Sequence, residues 1–208
     1  MKIIANQLTW FAINDGALEM PNWPEQLNEA RQQYLSAIKS EIPRLKDQYE
    51  LTIPEVALEL PNRGASPFCY WVVDIGCRNG DNFVPVEINL DTVSNINYSA
   101  GSTCGTVRIL NLNWNDAIFS INGNPSDVLG FEAWVVRWLD LDETRTPDDD
   151  GFRGIVHGVT EPQLLNGFWG FSVDLGSAPV DALIELIELL QQGGISEISI
   201  HTDTGFHQ

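Results

Sequence analysis

Apolar positions in this chain recur at two spacings, and the spacing separates helices from strands. Between Pro24 and Ser40, the residues Leu27, Ala30, Tyr34 and Ile38 return every three or four positions, and Ile42 continues the stripe. Glu25 and Glu29 stand at the start of this stretch and Lys39 at its end, where the helix dipole favours acid and base respectively. The pattern predicts a helix over 24–40, with Pro43 limiting Arg44–Glu50 to a short further turn. A second stripe of Val180, Ile184, Ile187 and Leu190 predicts a helix over 178–192, entered through Pro179 and Asp181 and closed by Gly193-Gly194.

Elsewhere the period is two or the run is continuous. Lys2–Ile13 is strand-like. Leu51–Gly64, broken by Pro54 and Pro61, reads as an edge strand or connector. Phe68–Cys77 predicts a buried strand, Asn79-Gly80 a tight turn, and Phe83–Leu90 a returning strand with Val84, Val86, Ile88 and Leu90 alternating. Thr92–Thr103 is polar and predicts a loop. Thr106–Asn113 and Asp116–Ile121 predict a second hairpin. Trp169, Phe171, Val173 and Leu175 predict a strand before the second helix, and Ile195–Ile200 a strand after it. A right-handed crossover makes those two strands parallel and leaves room for another between them.

Phe131–Val159 is the stretch of densest chemistry. Val135-Val136 and the flanking tryptophans favour a pleated strand, and Gly130 is a poor helix residue. A helix running to Glu143 would also set Asp140, Asp142 and Glu143 against the negative end of its dipole. Alternation puts Glu132, Trp134, Val136, Trp138, Asp140 and Asp142 on one face. Pro147–Gly151 is turn-forming, and Phe152–Val159 returns, so a hairpin with an acidic tip is expected. From Asp140 to Asp150 there are six carboxylates and one cation, Arg145. An EF-hand calcium loop does not fit: aligning Asp148, Asp150 and Gly151 leaves Thr146 and His157 at the two end positions that need carboxylates.

Length and composition place these elements in one α+β domain over 1–208, a mainly antiparallel twisted sheet with two main helices and a C-terminal strand–helix–strand unit. The chain has 208 residues, 43% of them hydrophobic, and a formal net charge of −18. Every Lys lies at or before Lys46, and Gly154 to the end holds seven acids and neither Lys nor Arg. Such a field repels nucleic acid and anionic membrane and speeds encounter with a basic protein. No run is long enough to cross a membrane and the start lacks the features of a signal peptide, so a soluble cytoplasmic protein is expected. Cys69, Cys77 and Cys104 are too few and too scattered for a disulfide framework or a zinc site.

Val72-Val73-Asp74-Ile75-Gly76-Cys77-Arg78-Asn79-Gly80 resembles the first motif of S-adenosylmethionine-dependent methyltransferases, in which glycines admit the cofactor to the backbone and a helix follows the turn. Arg78 stands where that family has a glycine. Asp81–Val86 reads as a strand, with Pro85 inside the window a helix would need. Asp91, the candidate ribose-binding acid, lies too soon after Gly80 for a βαβ crossover. The Asn-Gly hairpin explains the same residues.

Asp74 and Asp174 sit in apolar strands and read as hydrogen-bonded structural carboxylates, with a general base as the alternative. His157 alternates with Ile155 and Val159 and is expected to be partly buried or paired. His201 and His207 do not make a metal set. Function is therefore expected to be that of a non-enzymatic acidic binding or inhibitor protein, immunity-like, docking on a basic protein partner and needing no cofactor. Its contact residues would be Trp134, Trp138, Asp140, Asp142, Glu143, Asp148, Asp149 and Asp150. The alternative is an enzyme, either a degenerate methyltransferase using Asp74–Gly80 or a metal-assisted hydrolase.

Overall fold

A computed structural model describes residues 23–60, 64–88, 90, 94–102 and 105–202. The strand expected over Lys2–Ile13 lies outside them, as do Asp91, Cys104 and His207. Among the described residues the fold is α+β: three helices and a mostly antiparallel sheet of ten strands. The helices are α1 (Trp23–Gln48), α2 (Phe131–Leu139) and α3 (Val180–Gln192). The first six strands are β1 (Leu51–Glu59), β2 (Tyr70–Asn79), β3 (Asn82–Val86), β4 (Ser94–Ser102), β5 (Gly105–Leu112) and β6 (Ala117–Ile121). They are followed by β7 (Gly158–Val159), β8 (Gln163–Leu165), β9 (Phe168–Asp174) and β10 (Glu197–His201).

The sheet runs β1-β2-β7-β9-β6-β10-β5-β4, with β3 added to β2 and β8 to β9. Alternation decides which side chains are buried. Val107, Ile109, Phe119, Ile121, Phe171, Val173, Ile198 and Ile200 join the buried stripes of all three helices in one core. Their neighbours Arg108, Leu110, Ser120, Phe168, Glu197 and Ser199 lie exposed or half-buried on the opposite face, which none of the described helices covers. No helix among the described residues is long and apolar enough to cross a membrane.

Several elements follow the sequence pattern directly. Among the described residues β1 is an edge strand, and β2 turns through Gly80 (φ 55°) into β3 in the Asn-Gly hairpin. β9, α3 and β10 form the C-terminal crossover: β6 lies between the two strands and is antiparallel to both, so β9 and β10 are parallel.

Four elements differ. The helix expected over 24–40 continues through Pro43 to Gln48. Proline removes one amide hydrogen bond, while the next turn keeps the stripe and buries Leu45 to 2% exposure. The loop expected over Thr92–Thr103 contains strand β4, whose Ile96 and Ala100 are buried between polar neighbours. The hairpin expected from Thr106–Ile121 is split, because β10 inserts between β5 and β6 and leaves only the Asn113–Asp116 bridge.

The largest difference is the central stretch, where helix α2 replaces the first strand of the expected hairpin. Phe131, Trp134, Val135, Trp138 and Leu139 are all buried; their i, i+3, i+4, i+7, i+8 spacing is a complete helical stripe. Gly130 serves as the N-cap with φ 97°, a conformation it adopts without strain. The dipole objection fails because the helix stops at Leu139. Asp140 takes the left-handed cap position, φ 52°, and its carboxylate is neutralised locally. The return strand shrinks to the two residues of β7.

Candidate functional site

Two groups of polar residues concentrate the chemistry of this chain: the loop after α2 and a buried cluster at the split in the sheet.

The loop from Asp140 to Gly154 carries the acids singled out by the sequence, and the fold sorts them into two roles. Asp140 is 4% exposed. Its Oδ1 accepts from the Thr144 amide at 2.8 Å and the Thr144 hydroxyl at 2.9 Å. The Arg145 amide adds a bond to Oδ2 at 3.2 Å, and the Arg153 guanidinium lies 3.7 Å away. Asp148 Oδ1 accepts from the amides of Asp150 and Phe152, each at 2.9 Å. These two aspartates build the loop by satisfying its backbone donors. Arg145 braces it, donating to the Gly154 carbonyl and resting 4.3 Å from the centroid of the Trp138 ring.

Asp142, Glu143, Asp149 and Asp150 are exposed, and Asp150 pairs with Lys39 from α1. The expected Trp134/Trp138 contact face is not present: the indoles are 2% and 8% exposed and belong to the core. Trp138 Nε1 donates to Glu185 of α3 at 3.0 Å, and Arg137 pairs with the same carboxylate. Beside α2 a groove of about 440 Å³ is lined by Ala133, Val136, Arg137, Asp140, Asp142 and Thr144.

The second group lies where β7, only two residues long, links β2 to β9 and leaves their remaining edges to β3 and β8. His157 is fully buried, with Nε2 3.0 Å from Glu55 Oε1 and Nδ1 3.0 Å from Asp74 Oδ1. The Nδ1 contact is close but poorly directed for a hydrogen bond. Asp74 also accepts from the Tyr34 hydroxyl of α1 and from the Ile88 amide. Glu55 accepts from the Ser177 hydroxyl and the Arg153 amide. It does so from a left-handed position inside β1, φ 54°, an unusual conformation for a non-glycine residue. Gly176 permits the packing, since a Cβ there would lie 2.1 Å from the His157 ring.

Burial by itself would lower the His157 pKa, but its close contacts to the Asp74 and Glu55 carboxylates and the field of Asp174 outweigh it and push it up to about 10. Burial raises Asp174 well above the ordinary carboxylate range, and Asp74 adds to this against the pull of His157. Tyr34 is raised by burial and then by Asp174 and Asp74. The cluster thus joins α1, β1, β2, β9 and the approaches to β7 and α3 through charged hydrogen bonds.

Asp74 and Asp174 occupy the buried, hydrogen-bonded positions read for them, and the residues of the methyltransferase-like motif form β2 and its hairpin, with no helix after the turn. Glu55, Tyr34, Arg153 and Ser177 carry no local sequence signal for joining them, because sheet pairing and helix docking bring them together from distant segments. Among the described residues no three His, Cys, Asp or Glu side chains converge as a metal-binding set. No protein family, characterised protein or solved structure was found to match this chain.

Proposed function

We propose that this chain is a non-enzymatic acidic binding protein, of the immunity or inhibitor kind, that docks on a basic protein partner through the loop following α2. One observation carries the reading: the loop is ordered from within by Asp140 and Asp148 while Asp142, Glu143 and Asp149 face outward. A loop already held in shape loses little conformational entropy on binding, so more of its electrostatic attraction appears as affinity. The groove beside it adds exposed apolar surface at Ala133 and Val136 next to Asp142, a setting for the aliphatic stem and cationic head of a lysine or arginine. Trp134, Trp138 and Asp140 act behind this surface as supports rather than as contacts.

The enzyme readings lack comparable support. The groups with catalytic potential, His157, Ser177, Glu55 and Asp74, are all at most 4% exposed, and a catalytic group must reach its substrate.

The test is charge reversal at positions that do not build the loop. The triple variant Asp142→Lys, Glu143→Lys, Asp149→Lys should keep the wild-type circular dichroism spectrum and melting temperature. A basic protein captured by the wild type at low salt should be released by high salt and should not be retained by the variant. Equal retention by the variant and the wild type would sink the reading.

A further inference from the structure

We propose that two copies of this chain pair through the face of the sheet that no described helix covers. This rests on residues remote from the acidic loop and is independent of the reading above. Leu110, Leu165 and Phe168 are 40%, 59% and 46% exposed. All three lie on that face, because they alternate with core residues or pair with a residue that does. Exposed apolar side chains gathered on one face mark an interaction surface.

Charge identifies the occupant. At a net charge of −18, a second copy is repelled by most of the surface of the first. On this face, however, a guanidinium and a carboxylate, those of Arg108 and Glu197, lie close to each other. Arg108 is opposite Ser199, and Thr106 is opposite Glu197, so Arg108 and Glu197 project from adjacent strands on the same face, diagonal to each other across the Val107–Ile198 pair. They share a hollow of about 330 Å³ with Thr106, Ser120, Phe168 and Ser199. Neither has an ion-pair partner among the described residues.

A two-fold axis offers Glu197 of one copy to Arg108 of the other, and the reverse, so one complementary pair is used twice. A basic partner would satisfy Glu197 and oppose Arg108, and an acidic one would do the opposite. The small side chains of Ser120 and Ser199 leave the floor between them low enough for close approach. Six strands, β4, β5, β10, β6, β9 and β8, contribute to the face. At about 4.8 Å per strand this is roughly 24 Å across, a patch for a modest interface. The pairing is therefore a concentration-dependent dimer. Salt screens the repulsion between two acidic copies, so it strengthens the dimer while weakening capture of a basic partner.

The experiment is sedimentation equilibrium on the full chain from low micromolar to submillimolar concentration, at low and high salt. A monomer–dimer equilibrium that tightens with salt is expected. Leu165→Asp with Phe168→Asp should stay monomeric with an unchanged melting temperature. Arg108→Glu and Glu197→Arg should each weaken the dimer by about ten-fold or more, and the double exchange should restore it. A chain that is monomeric at every concentration and salt overturns the proposal. So does a dimer indifferent to these substitutions, or a double exchange no better than either single change.

Discussion

His157 donates a buried hydrogen bond to Glu55 and makes an ionic contact with Asp74, so its charge has a direct effect on stability. Its folded pKa of about 10 lies above the ordinary 6.5. The stabilisation it supplies is therefore complete below pH 6.5 and is lost as pH rises through about 10. Asp174 and Tyr34, both raised, act in the same sense, since ionising either inside the fold works against it. Urea midpoints should fall between pH 7 and pH 10, and His157→Gln should flatten that fall while costing about 3–5 kcal/mol at neutral pH, because it leaves two carboxylates without their cation. Equal slopes for variant and wild type would show that another group titrates. Gly176→Ala should also destabilise, by about 1–3 kcal/mol in thermal or urea melts, through a positive φ and a collision with the His157 ring. At this scale the sequence is informative about type: Asp74, Asp174 and His157 stand out as polar residues in apolar runs. It is silent about partners, because Glu55 and Ser177 are 102 and 20 residues from His157 and meet it only through the sheet.

At the scale of single elements, α2 is the instructive case. Val135-Val136 and the neighbouring tryptophans favour a strand locally, yet the stripe of Phe131, Trp134, Val135, Trp138 and Leu139 fills one helical face and is buried against α3 and the sheet. Burial outweighs propensity here: β-propensity spans about 1 kcal/mol, while truncating a buried aromatic costs about 3–5 kcal/mol. Trp134→Ala should accordingly lower stability by about 3–5 kcal/mol in chemical denaturation. A loss near zero would place that side chain at the surface instead. Asp140→Ala tests the loop separately. It removes the acceptor for Thr144 and Arg145, so amide exchange of those two residues should accelerate well before α3 is affected, with a global cost of about 1–3 kcal/mol. Unchanged exchange at both amides would mean that the loop is ordered by something other than Asp140.

At the scale of the molecule, the acidic loop and the apolar patch of Leu110, Leu165 and Phe168 lie on different sides of the sheet. Acids project from the loop after α2 and from α3, on the helical side, whereas the sheet face that no described helix covers carries Leu110, Leu165 and Phe168 with Arg108 and Glu197. The two proposed surfaces thus lie on opposite sides of the sheet and respond oppositely to salt. Capture of a basic partner should weaken as ionic strength rises, and self-association should strengthen, because screening diminishes an attraction in one case and a repulsion in the other. Paired measurements over one salt series check both directions; parallel responses would mean that at least one surface has been assigned wrongly.

The linear sequence determined the α+β class, the first part of α1 though not its continuation past Pro43, the β2–β3 hairpin and the C-terminal crossover with its intervening strand. Those features follow from short-range periodicity, turn chemistry and chirality, which each segment carries within itself. Tertiary structure alone decided that 131–139 is a helix, that 94–102 is a strand, and that β10 separates β5 from β6. It also turned Trp134, Trp138 and Asp140 inward and left Asp142, Glu143 and Asp149 outside. The physical reason is the same throughout: these outcomes depend on which surface an element buries against, and that surface is supplied by residues far away in the chain.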